Sequence, residues 1–120
     1  MKVLIVEQEK TLLQSLCNFM GQDNNLEVAS AHSVREGMSL WQALPFDVII
    51  SADRLPDGDG LAMLKKFLSM KPQIISILMT AQRDDLLRQE ALAAGIRGYL
   101  EKPFDLKQLE EAMGVTLPSL

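Results

Sequence analysis

The stretch DVIISADRLPDGDG, residues 47–60, carries an apolar run straight into a turn rich in proline, aspartate and glycine. The apolar residues 48–50 have the β-branched character of a buried strand, and the composition of the turn is typical of a tight connection. Asp59 can then cap a following helix. Because Ala52 and Asp53 stand where the strand ends, we ask which of the two side chains lies at a functional site.

The same alternation of a short apolar strand with an amphipathic helix continues along the whole chain. Such repeated units favour an α/β fold of the flavodoxin-like type, a doubly wound five-stranded parallel sheet with helices on both faces. Strands are predicted at residues 2–6, 26–30, 46–51, 74–79 and 98–101, the second of them near a sheet edge. Helices are predicted at residues 11–20, from a cap at Ser33 to before Pro45, from a cap at Asp59 to before Pro72, at 82–94, and from a cap at Asp105 to Met113, with Leu106, Leu109 and Ala112 facing inward.

Length and composition indicate one globular domain. The chain has 120 residues, of which 48% are hydrophobic and 23% charged. We expect a single folded domain at residues 1–113 and a tail or the start of a linker at 114–120. The net charge of −4 without a basic cluster argues against direct nucleic-acid binding, and no apolar run approaches the ~20 residues of a membrane span. The single cysteine, Cys17, predicts a reduced cytoplasmic setting.

Three motifs carry a resemblance to a known family. They are RLPDGDG after the third strand, Thr80-Ala81 after the fourth, and GYLEKPF at residues 98–104. With them the chain resembles the receiver domain of bacterial two-component response regulators. The resemblance implies the strand order 2-1-3-4-5. It also implies transfer of a phosphoryl group to an aspartate of the domain, with a divalent metal, a lysine and a hydroxyl around the phosphoryl oxygens.

The phospho-acceptor position of the resembling family falls on Ala52. The acceptor lies four residues before the proline of the turn and five after the acidic residue that opens strand three; Pro56 and Asp47 both lead to residue 52. Alanine cannot be phosphorylated. Asp53 is the fallback acceptor, but side chains alternate across a strand, so its use requires a shifted register or a bulge. Otherwise we expect Asp53 to be a solvated loop residue beside Arg54.

The acidic pair of the family falls on Glu7 and Gln8. An amide carries no charge to attract a cation, so we expect magnesium binding to be absent or very weak, and no cofactor. Glu7 is then expected to form an ion pair with Lys102, which leaves a balanced charge in place of the carboxylate cluster. Pro103, which follows that lysine, is expected to act through backbone geometry, since the family commonly has a cis bond there.

Thr80 and Tyr99 match the hydroxyl and aromatic pair whose repositioning reports phosphorylation in the family. Alternatively, Thr80 caps the fourth helix and Tyr99 packs on an edge. Retention of the pair indicates that the face made by helix four, strand five and helix five meets a partner. On helix four, Leu86, Leu87 and Leu92 do not fit one buried stripe, so one of them is expected to be exposed there.

Three functional interpretations follow. The first is an atypical, non-enzymatic receiver in signal transduction and transcription regulation, which acts by phosphorylation-independent contact with a protein partner or effector domain, or as a homodimer. The second is a phosphorylatable receiver that uses Asp53 through a shifted register. The third, an unrelated enzyme or nucleotide binder, fits poorly, because VEQEKT after strand one is no glycine-rich phosphate loop and no Ser/His or Cys/His nucleophile set is present. We favour the first.

Overall fold

The computed structural model describes residues 1–114, in which five strands and five helices alternate. A two-residue antiparallel hairpin, Arg54–Leu55 with Gly58–Asp59, interrupts the alternation between the third strand and the third helix. The sheet strands are β1 (Lys2–Val6), β2 (Glu27–Ala31), β3 (Val48–Ala52), β4 (Ile75–Thr80) and β5 (Gly98–Glu101), and the helices are α1 (Lys10–Met20), α2 (Val34–Ala43), α3 (Gly60–Met70), α4 (Asp85–Ala93) and α5 (Leu106–Met113).

The five strands form one parallel sheet in the order β2-β1-β3-β4-β5. This confirms the predicted doubly wound topology, including the position of β2 at an edge. The central strands are buried on both faces, as the near-continuous apolar runs predict: every residue of β3 is buried. The carboxyl ends of β1, β3, β4 and β5 therefore meet at one edge of the sheet.

The sheet separates two apolar cores. Helices α1 and α5 cover one face, where Leu16 and Leu109 pack with Ile5 and Ile50. Helices α2, α3 and α4 cover the other face, which contains the fully buried Phe67. In that second core the Trp41 ring of α2 stacks on Phe67 of α3, with centroids 4.1 Å apart and planes 12° apart.

Three predicted helix caps are confirmed by their hydrogen bonds. Ser33 accepts from the amide of Glu36, Asp59 accepts from the amides of Leu61 and Ala62, and Asp105 forms a reciprocal capping box with Gln108. Gly95, just after the end of α4, has φ +92°, the left-handed conformation in which glycine commonly ends a helix.

The fourth helix differs from its prediction. It begins at Asp85 rather than at Gln82, and its cap is Asp84, whose carboxylate accepts from the amides of Leu86 and Leu87. The alternative in which Thr80 caps this helix is therefore wrong. Several residues of capping type precede α4, and the one nearest the first turn supplies the cap.

Two expectations about apolar side chains need correction. Leu106 was expected to face inward, but it is 39% exposed at the first position of α5. On α4 two leucines are exposed rather than one, Leu86 by 77% and Leu92 by 53%, while Leu87 packs against the core.

No helix within residues 1–114 is long and apolar enough to cross a membrane. The predicted tail lies outside the described residues except for Gly114.

Candidate functional site

Four side-chain positions meet where the strands end. Glu7 follows β1, Ala52 is the last residue of β3, Thr80 is the last residue of β4, and Lys102 follows β5. Backbone hydrogen bonds hold these ends in place: the amide of Glu7 donates to Ala31, and the amide of Lys102 donates to the carbonyl of Thr80 at 2.7 Å. The sequence-predicted positions thus form one contiguous edge.

Glu7 and Lys102 form a close ion pair at this edge. Lysine Nζ lies 2.5 Å from Glu7 Oε1, and the two side chains are 22% and 2% exposed respectively. The second carboxylate oxygen, Oε2, accepts from the amide of Glu9 at 3.0 Å. Both oxygens of the buried carboxylate are therefore engaged by the protein, and the ammonium compensates its charge.

Ala52 is buried at the tip of β3, where a very close backbone approach fixes the chain. The amide of Gly60, at the start of α3, donates to the carbonyl of Asp53 at 2.8 Å. A Cβ atom at residue 60 would lie 1.7 Å from the carbonyl oxygen of Ala52, so only glycine fits there. Residues Val48–Ala52 pair regularly with Ile75–Met79, and this ladder contains neither a bulge nor a slip.

Asp53 does not lie free in solvent as expected. Its side chain is half-buried, and its Oδ2 accepts a hydrogen bond from Thr80 Oγ1 at 3.0 Å. Its amide also donates to the carbonyl of Met79 at 2.9 Å. The prediction of a solvated loop aspartate is wrong because β3 ends at Ala52, and past that point the chain turns the carboxylate toward the tip of β4 rather than away from the sheet.

Thr80 and Tyr99 lie on neighbouring strands. Thr80 is fully buried, and its hydroxyl also accepts from the amide of Gln82 at 3.0 Å. Tyr99 packs against the core that α2, α3 and α4 cover, and its hydroxyl is shielded without a hydrogen-bond partner among the described residues. Burial raises the pKa of Tyr99 above its ordinary value, and the carboxylates of Glu101, Asp53 and Asp84 raise it further.

One residue of the site region escaped prediction. Asp57, in the turn after β3, caps the preceding helix α2 and not α3, which follows it in the chain. Its two carboxylate oxygens accept from the amides of Val34 at 2.8 Å and Arg35 at 3.0 Å. These hydrogen bonds hold the pKa of Asp57 below its ordinary value. Aspartate in a turn is so common that the sequence offers no signal for this long-range cap.

The peptide bond between Lys102 and Pro103 is cis, in agreement with the expectation from the family. Pro103 and the neighbouring Phe104 line a largely apolar cavity together with Leu12 of α1 and Ala81. Lys102 of the charged pair therefore borders a largely apolar recess, which Glu9 also lines.

The residues at this edge do not fit a magnesium site. Magnesium requires oxygen ligands in near-octahedral geometry, and a site of this family would draw them from positions 7, 8 and 52. Both oxygens of Glu7 are already engaged, Gln8 is an exposed neutral amide, and Ala52 has no oxygen in its side chain. Across residues 1–114, no three His, Cys, Asp or Glu side chains converge on a point that could hold a metal ion.

Comparison with known proteins gives a consistent family assignment. The family model of the response regulator receiver domain matches residues 3–114. Among curated proteins, the DNA-binding transcriptional activator DevR/DosR of Mycobacterium tuberculosis is 33% identical over 95% of this chain and 52% of its own length. The response regulator protein PilR of Pseudomonas aeruginosa is 34% identical over 97% of this chain and 26% of its own length. This chain thus spans about half, or less, of the length of these relatives.

Solved structures show the same architecture. A response regulator receiver domain protein from Clostridium thermocellum superposes with a TM-score of 0.85 at 27% identity, covering 94% of this chain and 90% of that one. The non-phosphorylated HemR receiver domain of Leptospira biflexa also gives a TM-score of 0.85, at 26% identity, covering 98% of this chain and 97% of that one. The match therefore extends over nearly the whole of both chains.

Proposed function

Because this chain belongs to the response regulator receiver domain family, we propose that it is an atypical receiver that signals without phosphorylation of its own aspartate. The observation that supports this function is the buried methyl group of Ala52 at the tip of β3, in a strand that pairs in regular register to its last residue. A methyl group offers no nucleophile for phosphoryl transfer. The domain is then a binding module rather than a self-phosphorylating switch or an enzyme.

The surroundings of Ala52 support the same function. In a site that accepts a phosphoryl group, the lysine must be able to reach the transferred oxygens, and a metal must offset their charge. Here Lys102 is paired with Glu7 at 2.5 Å, and the donor set fits magnesium poorly. The pair holds the strand ends together and does not require a cation.

The partner in this proposal is a protein that contacts the face made by α4, β5 and α5. The helices of this face carry exposed leucines, Leu86 and Leu92 on α4 and Leu106 on α5, and a second copy of the chain is one candidate occupant. The relatives named as a transcriptional activator and a response regulator are longer than this chain, so an effector domain of such a regulator is the other candidate. With a net charge of −4, the domain is expected to regulate transcription in the cytoplasm through such contacts rather than by touching DNA itself.

A second candidate function rests on Asp53. Its carboxylate lies at the same edge of the sheet, next in the chain to Ala52 and within hydrogen-bond distance of the Thr80 hydroxyl, so it is the nearest candidate to accept a phosphoryl group. The regular β3–β4 ladder counts against the shifted register that this function needs. We therefore keep it as the outcome that would replace the first proposal.

Incubation with acetyl phosphate and magnesium, followed by intact mass spectrometry, separates the two functions. The unchanged chain is expected to gain no phosphate. The double variant Gln8→Asp with Ala52→Asp, which restores the carboxylates, serves as the positive control for the reagents. A single phosphate on the unchanged chain that maps to Asp53, and that disappears in Asp53→Asn, would overturn the first proposal in favour of the second.

A further inference from the structure

Two consecutive residues just after β3, Asp53 and Arg54, make side-chain hydrogen bonds to the end of β4 and to the segment that follows it. Asp53 accepts from the buried hydroxyl of Thr80 at 3.0 Å, and this hydroxyl in turn accepts from the amide of Gln82 at 3.0 Å. With the side-chain amide of Gln82 oriented so that its oxygen faces Arg54, that oxygen accepts from Arg54 Nη2 at 2.6 Å. The side chains of Asp53 and Arg54 thus hold the first residues of the connection from β4 to α4.

The carboxylate is the centre of this small network. It is half-buried, and a hydrogen bond to an ionised acceptor is stronger than one between neutral groups. The hydroxyl of Thr80 cannot turn toward solvent, because the side chain is fully buried. Its donor and acceptor roles are both taken, so Asp53 decides which way this hydroxyl points.

The network extends toward the proposed partner surface. The carbonyl of Thr80 accepts from the amide of Lys102, just after β5, and Thr80 itself pairs with Glu101 of β5. Tyr99 lies two residues earlier on β5 and packs inward, in the core shared with α4. Asp84, which caps α4, and Asp53 both act electrostatically on Tyr99. Strain or release at Thr80 would therefore reach both α4 and β5.

We propose that Asp53 is an anionic clamp, a positioning residue whose carboxylate holds Thr80 and the connection to α4 in one arrangement. Through them it keeps Tyr99, and the face made by α4, β5 and α5, in one conformation. The inference rests on the proposed function, since it names how the partner surface is regulated when no phosphoryl group can be added at residue 52. In this chain the charge that orients Thr80 is encoded at residue 53. The surface is then constitutively ready for its partner.

Backbone amide hydrogen exchange and the ring resonances of Tyr99, the single tyrosine of the chain, test the clamp directly. In Asp53→Ala, exchange at Gln82 and Lys102 is expected to rise about tenfold, the effect of losing one hydrogen bond to a charged group. The ring resonances of Tyr99 should shift as well. Thr80→Val should reproduce both changes, whereas Thr80→Ser, which keeps the donor, should restore the parent behaviour.

Asp59→Ala is the matched control, because Asp59 borders the same shallow cavity as Asp53, while its carboxylate accepts hydrogen bonds from the first amides of α3. It is expected to lower stability and to leave Gln82, Lys102 and Tyr99 unchanged. The double variant Asp53→Ala with Thr80→Val should be no more perturbed than either single variant, as for two partners in one interaction. Asp53→Asn, which keeps an acceptor oxygen without the charge, should give an intermediate increase in exchange.

If Asp53→Ala loses stability while exchange at Gln82 and the Tyr99 resonances stay as in the parent, Asp53 is only a structural hydrogen-bond partner and the clamp is wrong. This result is separate from a failure of the proposed function, which would appear as phosphate on the unchanged chain. Phosphate at Asp53 itself would contradict both proposals, and phosphate elsewhere only the first.

Discussion

Glu7 and Lys102 lie 95 residues apart in the chain, yet their charged atoms are 2.5 Å apart at the ends of β1 and β5. The carboxylate is almost completely buried and the ammonium largely so. Burying a carboxylate is costly unless a partner compensates its charge. We therefore expect the largest loss of stability when one member of the pair is removed and the other charge stays buried.

Lys102→Met is expected to destabilise the domain by about 3 kcal/mol, because it leaves the Glu7 charge buried without compensation. Adding Glu7→Gln to this variant removes the uncompensated charge and should recover part of the loss. Urea unfolding followed by circular dichroism measures both. The matched control is Lys65→Met, since Lys65 pairs with Glu90 at 2.8 Å on the exposed surface, where the expected cost is below about 1 kcal/mol. Equal losses in Lys102→Met and Lys65→Met would contradict the compensating role of Lys102.

Restoring the missing carboxylates should lower the stability of the metal-free domain and make its melting temperature depend on magnesium. In Gln8→Asp with Ala52→Asp, like charges about 5 Å apart repel by roughly 3 kcal/mol at an effective dielectric of about 20, before screening. The metal-free double variant is therefore expected to melt below the parent, and magnesium should return part of the loss by binding the folded state. Thermal melting of the parent, both single variants and the double variant, with and without magnesium, provides the measurement. A double variant that melts no lower than the parent and ignores magnesium would show that charge balance does not explain the site.

Self-association of the domain should not depend on phosphorylation reagents. Because Ala52 offers no acceptor and the donor set fits magnesium poorly, the distribution of monomer and dimer is expected to be the same with and without magnesium and beryllofluoride, a mimic of aspartyl phosphate. Sedimentation velocity gives this distribution. Leu86→Glu, on the exposed face of α4, is expected to weaken any dimer, and Met70→Glu, which alters a 57% exposed residue on α3, is the control. A shift to dimer on adding the reagents would argue for a working switch.

The phenol of Tyr99 should make stability fall at alkaline pH. Burial, then the carboxylates of Glu101, Asp53 and Asp84, raise the pKa of Tyr99, so the folded state holds the phenolic proton more tightly than the unfolded chain does. This contribution is fully present below the unfolded pKa of about 10 and is lost as pH rises through the higher folded value. Absorbance titration in buffer and in denaturant measures both values for the single tyrosine. Asp53→Asn should lower the folded pKa of Tyr99, whereas Glu27→Gln, at the opposite edge of the sheet, should not; an unchanged value in Asp53→Asn would contradict their electrostatic contact.

The fold was predictable because independent local signals agree. Apolar runs such as residues 48–50 specify buried strands, and Ser33, Asp59 and Asp105 supply caps at the expected helix starts. Two kinds of error remain. Several residues of capping type precede α4, so the sequence did not identify Asp84 as its cap. Periodicity tells which face of α5 Leu106 shares with Leu109, but not how far along the helix that face stays covered.

The details of the site were less predictable, because they depend on contacts between distant residues. The meeting of Glu7 with Lys102 follows from parallel strands that end at one edge, and was expected. The hydrogen bond of Asp53 to Thr80 was not, because the alternation of side chains applies within a strand and Asp53 lies just beyond the end of β3. The cap that Asp57 provides to α2 likewise depends on tertiary packing.

The stacked pair of Trp41 and Phe67 has a practical consequence for spectroscopy. Trp41 is the single tryptophan of the chain and sits between α2 and α3, so its emission reports packing on one side of the sheet only. The core beneath α1 and α5 contains no tryptophan, whereas far-ultraviolet circular dichroism reports the backbone of the helices and strands on both sides of the sheet. The unfolding curves from tryptophan emission and from circular dichroism coincide only if both sides of the sheet unfold together. Trp41 therefore gives a test, without any added label, of whether the domain unfolds in a single cooperative step.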